Sequence, residues 1–336
     1  MRIGILSFAH LHAEGYQANL RAIPGVELIG FSHESAAEGR HFAQLYGLRW
    51  FPTPQDLLSE GLDGVLICAE NANHRELAEI AADAKCQILC EKPIETNLSD
   101  AEAMKEACDE HGVRFMTAFP MRFASSTRAV RAMIQRGELG GVLGINGINH
   151  SEVPKRHRAW FIDKKLAGGG AVMDHTVHLV DLLRWYFATE VAQVYAEVGF
   201  DSGNPEIDVA GLMLLTLSNG VQASLDCSWS RPAVYPRWGH LKMEVVGEKG
   251  TAVNDSFAEY ITLYSQGAPR NPSWMAFGAD PNQAMIEEFV ASIRDQREPC
   301  VTWKDGYEAL RVALAAYESA RAQQPVNLTP RQHTER

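Results

Sequence analysis

Four side chains stand out because their types and spacing suit proton-transfer chemistry: Lys92, Asp174, His178 and Asp181. The last three follow one another at intervals of four and three residues, so on a helix they share one face. Lys92 comes directly after an apolar run at 87–90 that is typical of a strand, and open α/β sheets bind ligands at strand carboxyl ends. An imidazole can take a proton near neutral pH, and a lysine can stabilise negative charge on an oxygen.

The elements that must position Lys92 lie in residues 1–120, where short apolar runs alternate with amphipathic helical segments. The predicted strands are 3–8, 26–31, 65–68, 87–90 and 114–118. Thr53 and Pro54 predict a capped helix start, and the segment 99–102 predicts a capping box. This alternation indicates a doubly wound parallel sheet with helices on both faces, which is a Rossmann α/β domain.

Residues 121–325 follow a different pattern. Helices are predicted at 126–135, 171–187, 283–294 and 303–323, and strands at 142–150, 191–198, 209–217, 221–230, 241–246 and 260–264. Asn219 and Gly220 are a two-residue hairpin signal between two of these strands. We expect an α+β domain with an open, mostly antiparallel sheet, whose last helices can pack back on the first domain. Residues 326–336 are expected to form a tail.

Composition limits the partners of this chain of 336 residues, which is long enough for two domains. Its net charge of −11 argues against a nucleic-acid surface, which needs clustered cations. Its apolar stretches are shorter than the roughly twenty residues of a membrane span. Without a signal-peptide core, we expect a cytoplasmic protein. Six scattered cysteines without a CxxC pair are typical of buried, reduced thiols.

The loop after the first strand lacks the glycines that let backbone approach the pyrophosphate of a dinucleotide. Ser7, Ala9 and His12 occupy the three fingerprint places. The acid expected to bind the adenine ribose is replaced by His33, followed by Glu34. Either Glu34 substitutes for that acid or the site accepts NADP. The competing interpretation is a Rossmann-shaped domain that has lost its nucleotide.

Three further motifs follow in a characteristic order: CAENANH at 68–74, EKP at 91–93 and GGGAVMDHTVHLVD at 168–181. In this order and spacing, the sequence resembles the Gfo/Idh/MocA family, named for glucose–fructose oxidoreductase, inositol dehydrogenase and the MocA proteins. The resemblance runs from residue 1 to about residue 325. The EKP tripeptide alone is weak, but its combination with the glycine–histidine motif is specific.

The resemblance implies an enzyme that transfers hydride between NAD or NADP and a hydroxyl of a sugar, polyol or inositol-like substrate. His178 would then take the hydroxyl proton, Lys92 would hydrogen-bond the same oxygen, and Asp174 would orient these groups. Family members commonly dimerise or tetramerise, so we expect a homodimer or homotetramer.

The remaining site predictions form two sets. The cofactor set is Ser7, Ala9, His10, His12, His33, Glu34, Ala69, Asn71, His74, Glu91 and Lys92, and the substrate set is Arg122, His150, Arg158, Trp160, His175 and Asp181. No metal is expected, because the neighbours Asp174 and His175 diverge by about 100° around a helix and share an ion poorly. Whether the histidines at 10, 12, 175 and 178 bind a metal stays open.

Two other functions stay open on the sequence. A redox-neutral glycoside hydrolase would use tightly held NAD to oxidise a ring hydroxyl transiently, acidify the neighbouring proton and eliminate the leaving group. Lys92 and His178 would serve that chemistry as well. A non-catalytic sensor that has lost the cofactor is supported only by the altered loop.

Overall fold

The computed structural model describes residues 1–156, 158–201, 203–263, 273–276 and 278–328. The chain forms two compact units. The first comprises Met1–Pro120, Pro154–Gly168 and Pro281–Leu310, and the second comprises Met121–Val153, Gly169–Asp280 and Arg311–Arg336. The first unit therefore includes two segments that follow residue 120 in the chain. Among the described residues, no helix is both long and apolar enough to cross a membrane.

The helices and strands of the described residues are numbered in chain order. The strands are β1 (Arg2–Leu6), β2 (Glu27–Ser32), β3 (Trp50–Phe51), β4 (Gly64–Ile67), β5 (Gln87–Cys90), β6 (Phe115–Thr117), β7 (Val142–Ser151), β8 (Val191–Asp201), β9 (Asn204–Leu217), β10 (Gln222–Ser228), β11 (Gly239–Gly247), β12 (Gly250–Asp255), β13 (Tyr260–Leu263), β14 (Ser273–Ala276) and β15 (Val326–Asn327). The α-helices are α1 (Ala13–Arg21), α2 (Ala36–Tyr46), α3 (Pro54–Leu58), α4 (His74–Asp83), α5 (Leu98–His111), α6 (Ser125–Gln135), α7 (Lys164–Ala167), α8 (Ala171–Phe187), α9 (Pro281–Arg294) and α10 (Trp303–Ala322).

A six-stranded parallel sheet forms the centre of the first unit, in the order β3-β2-β1-β4-β5-β6. All four residues of β4 are buried, as expected for a strand in the middle of a sheet with both faces covered. Parallel strands end at the same edge, so the loops after β1, β4 and β5 meet there. The predicted Rossmann fold is confirmed.

A seven-stranded sheet in the order β12-β11-β7-β10-β9-β8-β15 forms the second unit. Only the pair β7–β10 is parallel, and the other five pairs are antiparallel. Alternating burial along β7 shows that one face is covered, and Gly147 on that face lies against Leu179 of α8. The predicted open, mostly antiparallel sheet is confirmed.

Several boundaries differ from the prediction because side chains settle them locally. β1 ends at Leu6, because Ser7 adopts a left-handed φ of 70°. Helix α5 is capped by Asn97, whose side chain accepts the Asp100 N–H, so the predicted capping box is wrong. The predicted two-residue turn is a three-residue loop, since Leu217 N–H donates to the Val221 carbonyl.

Other differences lie near the chain end and in the short strands. β3, β12, β14 and β15 were not predicted, and β15 pairs with β8 within the segment expected to be a tail. Residue 264 of the predicted strand 260–264 lies outside the described residues, as do residues 329–336. Five cysteines are buried free thiols as expected, but Cys300 is exposed.

A buried carboxylate holds the start of α8. Asp208 accepts hydrogen bonds from the Gly170 and Val172 N–H groups, each at 2.7 Å. The Tyr317 hydroxyl donates to Asp208 at 2.7 Å and accepts from the Met173 N–H at 3.1 Å. A Cβ at Gly170 would lie 1.9 Å from the Asp208 carbonyl oxygen, so only glycine fits there. These contacts satisfy N–H groups that no helical carbonyl can reach.

We expect Tyr317→Phe to destabilise the protein by about 1–3 kcal/mol. The substitution removes one donor to Asp208 and one acceptor for Met173, and buried polar groups without partners are costly. Urea unfolding followed by circular dichroism measures the change.

The matched control is Tyr195→Phe, which removes an exposed hydroxyl bonded to Glu197. Its unfolding midpoint should equal that of the unsubstituted protein. Equal midpoints for both variants would show that the buried hydroxyl does not hold the helix.

Candidate active site

In the loop after β1, side-chain hydrogen bonds hold the backbone at the positions where a dinucleotide-binding loop usually has glycines. The Ser7 hydroxyl accepts the Ala9 N–H at 3.1 Å, and His33 Nδ1 accepts the Phe8 N–H at 3.3 Å. Because Nδ1 is an acceptor, the His33 proton lies on Nε2, which donates to Glu38 at 3.2 Å. Ser7 and His33, both predicted cofactor residues, are thus brought together at the carboxyl edge of the sheet.

The predicted substrate residues Arg158 and Trp160 belong to the first unit and bind this loop. Arg158 Nε and Trp160 Nε1 donate to the Ala9 carbonyl at 3.1 and 3.0 Å. Arg158 also donates to Glu14 at 2.6 Å, and Glu14 accepts from the Tyr46 hydroxyl. Burial and the hydrogen bond to Glu14 raise the pKa of Tyr46 to about 12. These contacts fix the loop without a glycine fingerprint.

His74 braces the loop that carries Lys92. It is fully buried, and Nδ1 lies 3.1 and 3.2 Å from the carbonyl oxygens of Pro93 and Ile94. Nε2 lies 3.3 Å from the Ala69 carbonyl oxygen. Burial lowers the pKa of His74 although these carbonyls favour a proton. This predicted cofactor residue contacts the protein backbone on both sides.

Two more predicted cofactor residues follow the neighbouring strands β4 and β5. Asn71 is buried, and its amide donates to the Ala167 carbonyl at 2.9 Å. Glu91 is also buried, with its carboxylate 2.9 Å from His12 Nδ1 and 3.8 Å from His10 Nδ1. Burial raises the pKa of Glu91, but the charges of His10 and His12, with a smaller share from Lys92, outweigh it and hold the pKa well below its usual range.

Helix α8 exposes only two residues of its first fourteen. Within 171–184, all of which the structure describes, every residue is buried except Asp174 and His178. They are four residues apart and share one face of the helix. The two predicted catalytic residues of the second unit are therefore the two accessible positions of this helix segment. Lys92, the third, lies in the first unit and is only 4 % exposed.

Asp174 is held by two neighbours, of which the sequence indicated only His175. Trp229 Nε1 donates to its carboxylate at 3.3 Å, and His175 Nε2 lies 3.3 Å from the same oxygen. His175, a predicted substrate residue, is buried and also contacts the Asn149 carbonyl and the Ser151 hydroxyl. His175 therefore contacts the Asp174 carboxylate from its buried side.

The other predicted substrate residues of the second unit have charged partners. Arg122 and Asp181 form a buried ion pair, with separations of 2.5 and 2.9 Å. His150 follows Asn149 on β7 and points to the opposite face of the sheet, where it lies 3.0 Å from Asp226. Burial lowers the pKa of His150 despite Asp226. Arg122 and Asp181 are therefore held by each other, and His150 lies on the face of the sheet away from α8.

Asp208, Tyr317 and Trp229 are the residues of this region that sequence reasoning missed. An aspartate inside the apolar strand β9 was a usable signal, because a buried carboxylate needs donors. Nothing local marked Tyr317, which is 109 residues away from Asp208 in the chain.

Comparisons with known proteins agree with this architecture. A family model described as "Oxidoreductase family, NAD-binding Rossmann fold" matches residues 2–119, and one for the "GFO/IDH/MocA C-terminal domain" matches residues 127–253. The chain belongs to the Gfo/Idh/MocA family. The predicted family, the nicotinamide cofactor and the oxidoreductase class are confirmed.

Relatives within the Gfo/Idh/MocA family match along almost the whole chain. The uncharacterised oxidoreductase YrbE of Bacillus subtilis is 28% identical, with 99% of this chain and 96% of the relative covered. Myo-inositol 2-dehydrogenase of Thermotoga maritima is also 28% identical, with 98% of each chain covered. The crystal structure of GenD2 from gentamicin A biosynthesis, in complex with NAD, has the same fold, with a TM-score of 0.89, 23% identity and coverage of 98% of this chain and 97% of that chain.

The burial of His74 predicts a pH dependence of stability. Its pKa in the folded protein lies below the usual 6.5, so the unfolded chain binds the proton more readily. The neutral imidazole therefore contributes fully to the free energy of unfolding above pH 6.5, and this contribution is lost as the pH falls below that value. We expect His74→Gln to reduce the slope of the free energy of unfolding against pH in the acid range by up to about 1.4 kcal/mol per pH unit.

Urea unfolding at a series of pH values measures the slope. His41→Gln, a substitution of an exposed histidine on α2, should leave the slope of the unsubstituted protein unchanged. A slope that His74→Gln also leaves unchanged would contradict the assignment.

Proposed function

We propose that this protein is an NAD-dependent dehydrogenase that oxidises a ring hydroxyl of an inositol or sugar. The observation that carries the proposal is the accessible pair on α8, where Asp174 and His178 alone among residues 171–184 reach the surface. The names of relatives, which include inositol, D-apiose and D-xylose dehydrogenases, support this substrate class.

His178 serves as the base in this proposal. Its imidazole would take the hydroxyl proton, and a bound nicotinamide would supply the acceptor for the hydride of the same carbon. Asp174, held by Trp229 and His175, binds a neighbouring hydroxyl or orients the base. Because its two neighbours are fixed in the fold, Asp174 reaches the substrate with little loss of conformational freedom.

Lys92 stabilises the charge that develops on the reacting oxygen. It follows β5 at the carboxyl edge of the sheet, and its backbone N–H donates to Glu91 at 3.2 Å. Glu91 and His74 hold the loop on both sides of Lys92, which favours a fixed position for its ammonium group.

The first unit has a cleft at the carboxyl edge of its sheet, where the adenosine half of the dinucleotide would lie. The cleft holds about 190 Å³ of space between the ends of β1 and β2 and the start of α4, against Ser7, His33, Glu34 and Asn73. Four carboxylates line it: Glu34, Glu38, Glu70 and Glu76. None of the described lining residues is Lys or Arg. A ribose hydroxyl suits these acceptors, whereas a 2′-phosphate is repelled by them.

The outer face of the second unit's sheet supports the expected homo-oligomer. Leu212 and Leu214 on β9 point away from α8 and are 61% and 58% exposed. Large apolar side chains that share one open sheet face favour contact with a second copy of the chain.

We expect Lys92→Met and His178→Gln each to lower kcat by about 10²–10⁴-fold, because each removes a group that acts in the transition state. The double variant should lose little more kcat than the worse single variant, because the effects of substituting residues that act together in one step do not add. NADH formation with a panel of inositols and aldoses measures these effects.

Lys105→Met is the matched control, because it makes the same change on the exposed side of α5. It should retain full activity. Activity of Lys92→Met within about threefold of the unsubstituted enzyme would overturn the proposal. Product release without NADH accumulation would identify redox-neutral chemistry instead, and absent NADH binding would identify a sensor.

We expect NADH to bind at least about tenfold more tightly than NADPH, a difference of about 1.4 kcal/mol. The four carboxylates of the cleft repel a 2′-phosphate, and Glu34→Gln combined with Glu70→Gln should narrow the difference. Fluorescence titration of both nucleotides measures it.

Glu110→Gln is the control, because Glu110 is exposed on α5 and does not line the cleft. It should leave both affinities unchanged. Equal affinity of the unsubstituted protein for NADH and NADPH would contradict the prediction.

A further inference from the structure

Two histidines and a glutamate of the first unit converge at the carboxyl edge of its sheet. His10 and His12 lie in the loop after β1, and Glu91 follows β5. One ligand atom from each residue lies within 4.8 Å of the others. The separation from the nearer Glu91 oxygen is 2.9 Å for His12 Nδ1 and 3.8 Å for His10 Nδ1. Histidines are not needed by a pyrophosphate loop, so this arrangement calls for its own explanation.

The carboxylate of Glu91 needs a positive partner. The side chains of Glu91 and His10 are 1% and 2% exposed, while that of His12 is 29% exposed. A buried carboxylate is tolerated only when it is paired with a cation or coordinates one. Lys92 supplies a small share of this charge. Between Glu91 and the two imidazoles, either a proton or a metal cation can supply the remainder, and His12 gives access from solvent.

The spacing of the ligand atoms suits a small metal ion. Ligands about 2.0–2.1 Å from a tetrahedral Zn²⁺ lie about 3.3 Å from one another. The two separations from Glu91, 2.9 and 3.8 Å, lie on either side of this value. A cation bound through His10 Nδ1 would replace the hydrogen bond that this atom accepts from the His12 N–H at 3.2 Å.

We propose that His10, His12 and Glu91 bind a divalent first-row transition-metal ion. Two imidazoles and one carboxylate suit Zn²⁺, Co²⁺ or Fe²⁺, whereas Mg²⁺ and Ca²⁺ prefer sets of oxygen ligands. Three protein ligands leave a tetrahedral ion one further position, as in open metal sites. The ion would tie the loop after β1 to the end of β5, both within the first unit. The sequence predicts no metal in this protein and leaves open whether His10 and His12 bind one.

Metal binding to the full-length protein tests the proposal without any substrate. Protein stripped with a chelator is titrated with Zn²⁺ against a chromogenic chelator, and with Co²⁺ by visible absorption. We expect one equivalent per chain, and at least about 100-fold weaker binding of Mg²⁺. His12→Gln and Glu91→Gln should each weaken Zn²⁺ binding beyond the roughly 10–100-fold cost of losing an outer-shell partner.

His41→Gln serves as the matched control, because it removes an exposed histidine from the same unit and should leave Zn²⁺ binding unchanged. If Glu91→Gln unfolds, His12→Gln keeps the test valid, because His12 is partly exposed. In that case, the rise in melting temperature of the unsubstituted protein with Zn²⁺ gives a second measurement.

No stoichiometric Zn²⁺ binding, or equal binding by His12→Gln and the unsubstituted protein, would overturn the proposal. A proton shared between His12 and Glu91 would then be the partner of the buried carboxylate. NADH titration is recorded separately, so failure of the metal site and failure of the dehydrogenase assignment are distinguishable.

Discussion

The hydrogen bonds that Asp208 accepts at the start of α8 are the constraint on which the second unit depends. Helix α8 lies against the inner face of the sheet, and its first N–H groups have no helical acceptors. Asp208, supported by Tyr317, satisfies them from β9 and so sets where the helix begins. Because the first turn is anchored, the rotation of the helix about its axis is set, and Asp174 and His178 are its accessible positions within residues 171–184.

The first unit meets a different constraint, because its nucleotide loop turns without a fingerprint glycine. Ser7 takes the left-handed conformation. In the resulting loop, His33 accepts the Phe8 N–H, and Arg158 and Trp160 donate to a backbone carbonyl. Glycine would permit this backbone at no steric cost. Here the surrounding contacts offset that cost, and they make the loop dependent on a segment more than 140 residues away in the chain.

Each unit contains a buried carboxylate beside a cationic or ionisable side chain, and this arrangement distinguishes both from Asp174. Arg122 and Asp181 neutralise each other inside the second unit, which accounts for their burial without a ligand. Glu91 lies beside His10 and His12, where a proton or the proposed metal ion supplies the positive charge. Asp174 differs, because its carboxylate is partly exposed while its supporting residues, Trp229 and His175, are buried. A supported but accessible carboxylate is the arrangement expected of a group that meets a substrate.

The sequence by itself determined the fold class and the shared helix face of Asp174 and His178, because these follow from periodicity and short-range spacing. Helix α8 has the predicted limits, 171–187, for this reason. The motifs of the sequence indicated the family by resemblance. Only the tertiary structure decided the roles of Asp208, Tyr317 and Glu91, since their partners come from distant parts of the chain. The same holds for His150, which lies on the far face of the sheet from α8, and for Arg158 and Trp160, which hold the nucleotide loop. Residue type indicates which chemistry a side chain can perform, but its burial and partners are set by packing between elements that are remote in sequence.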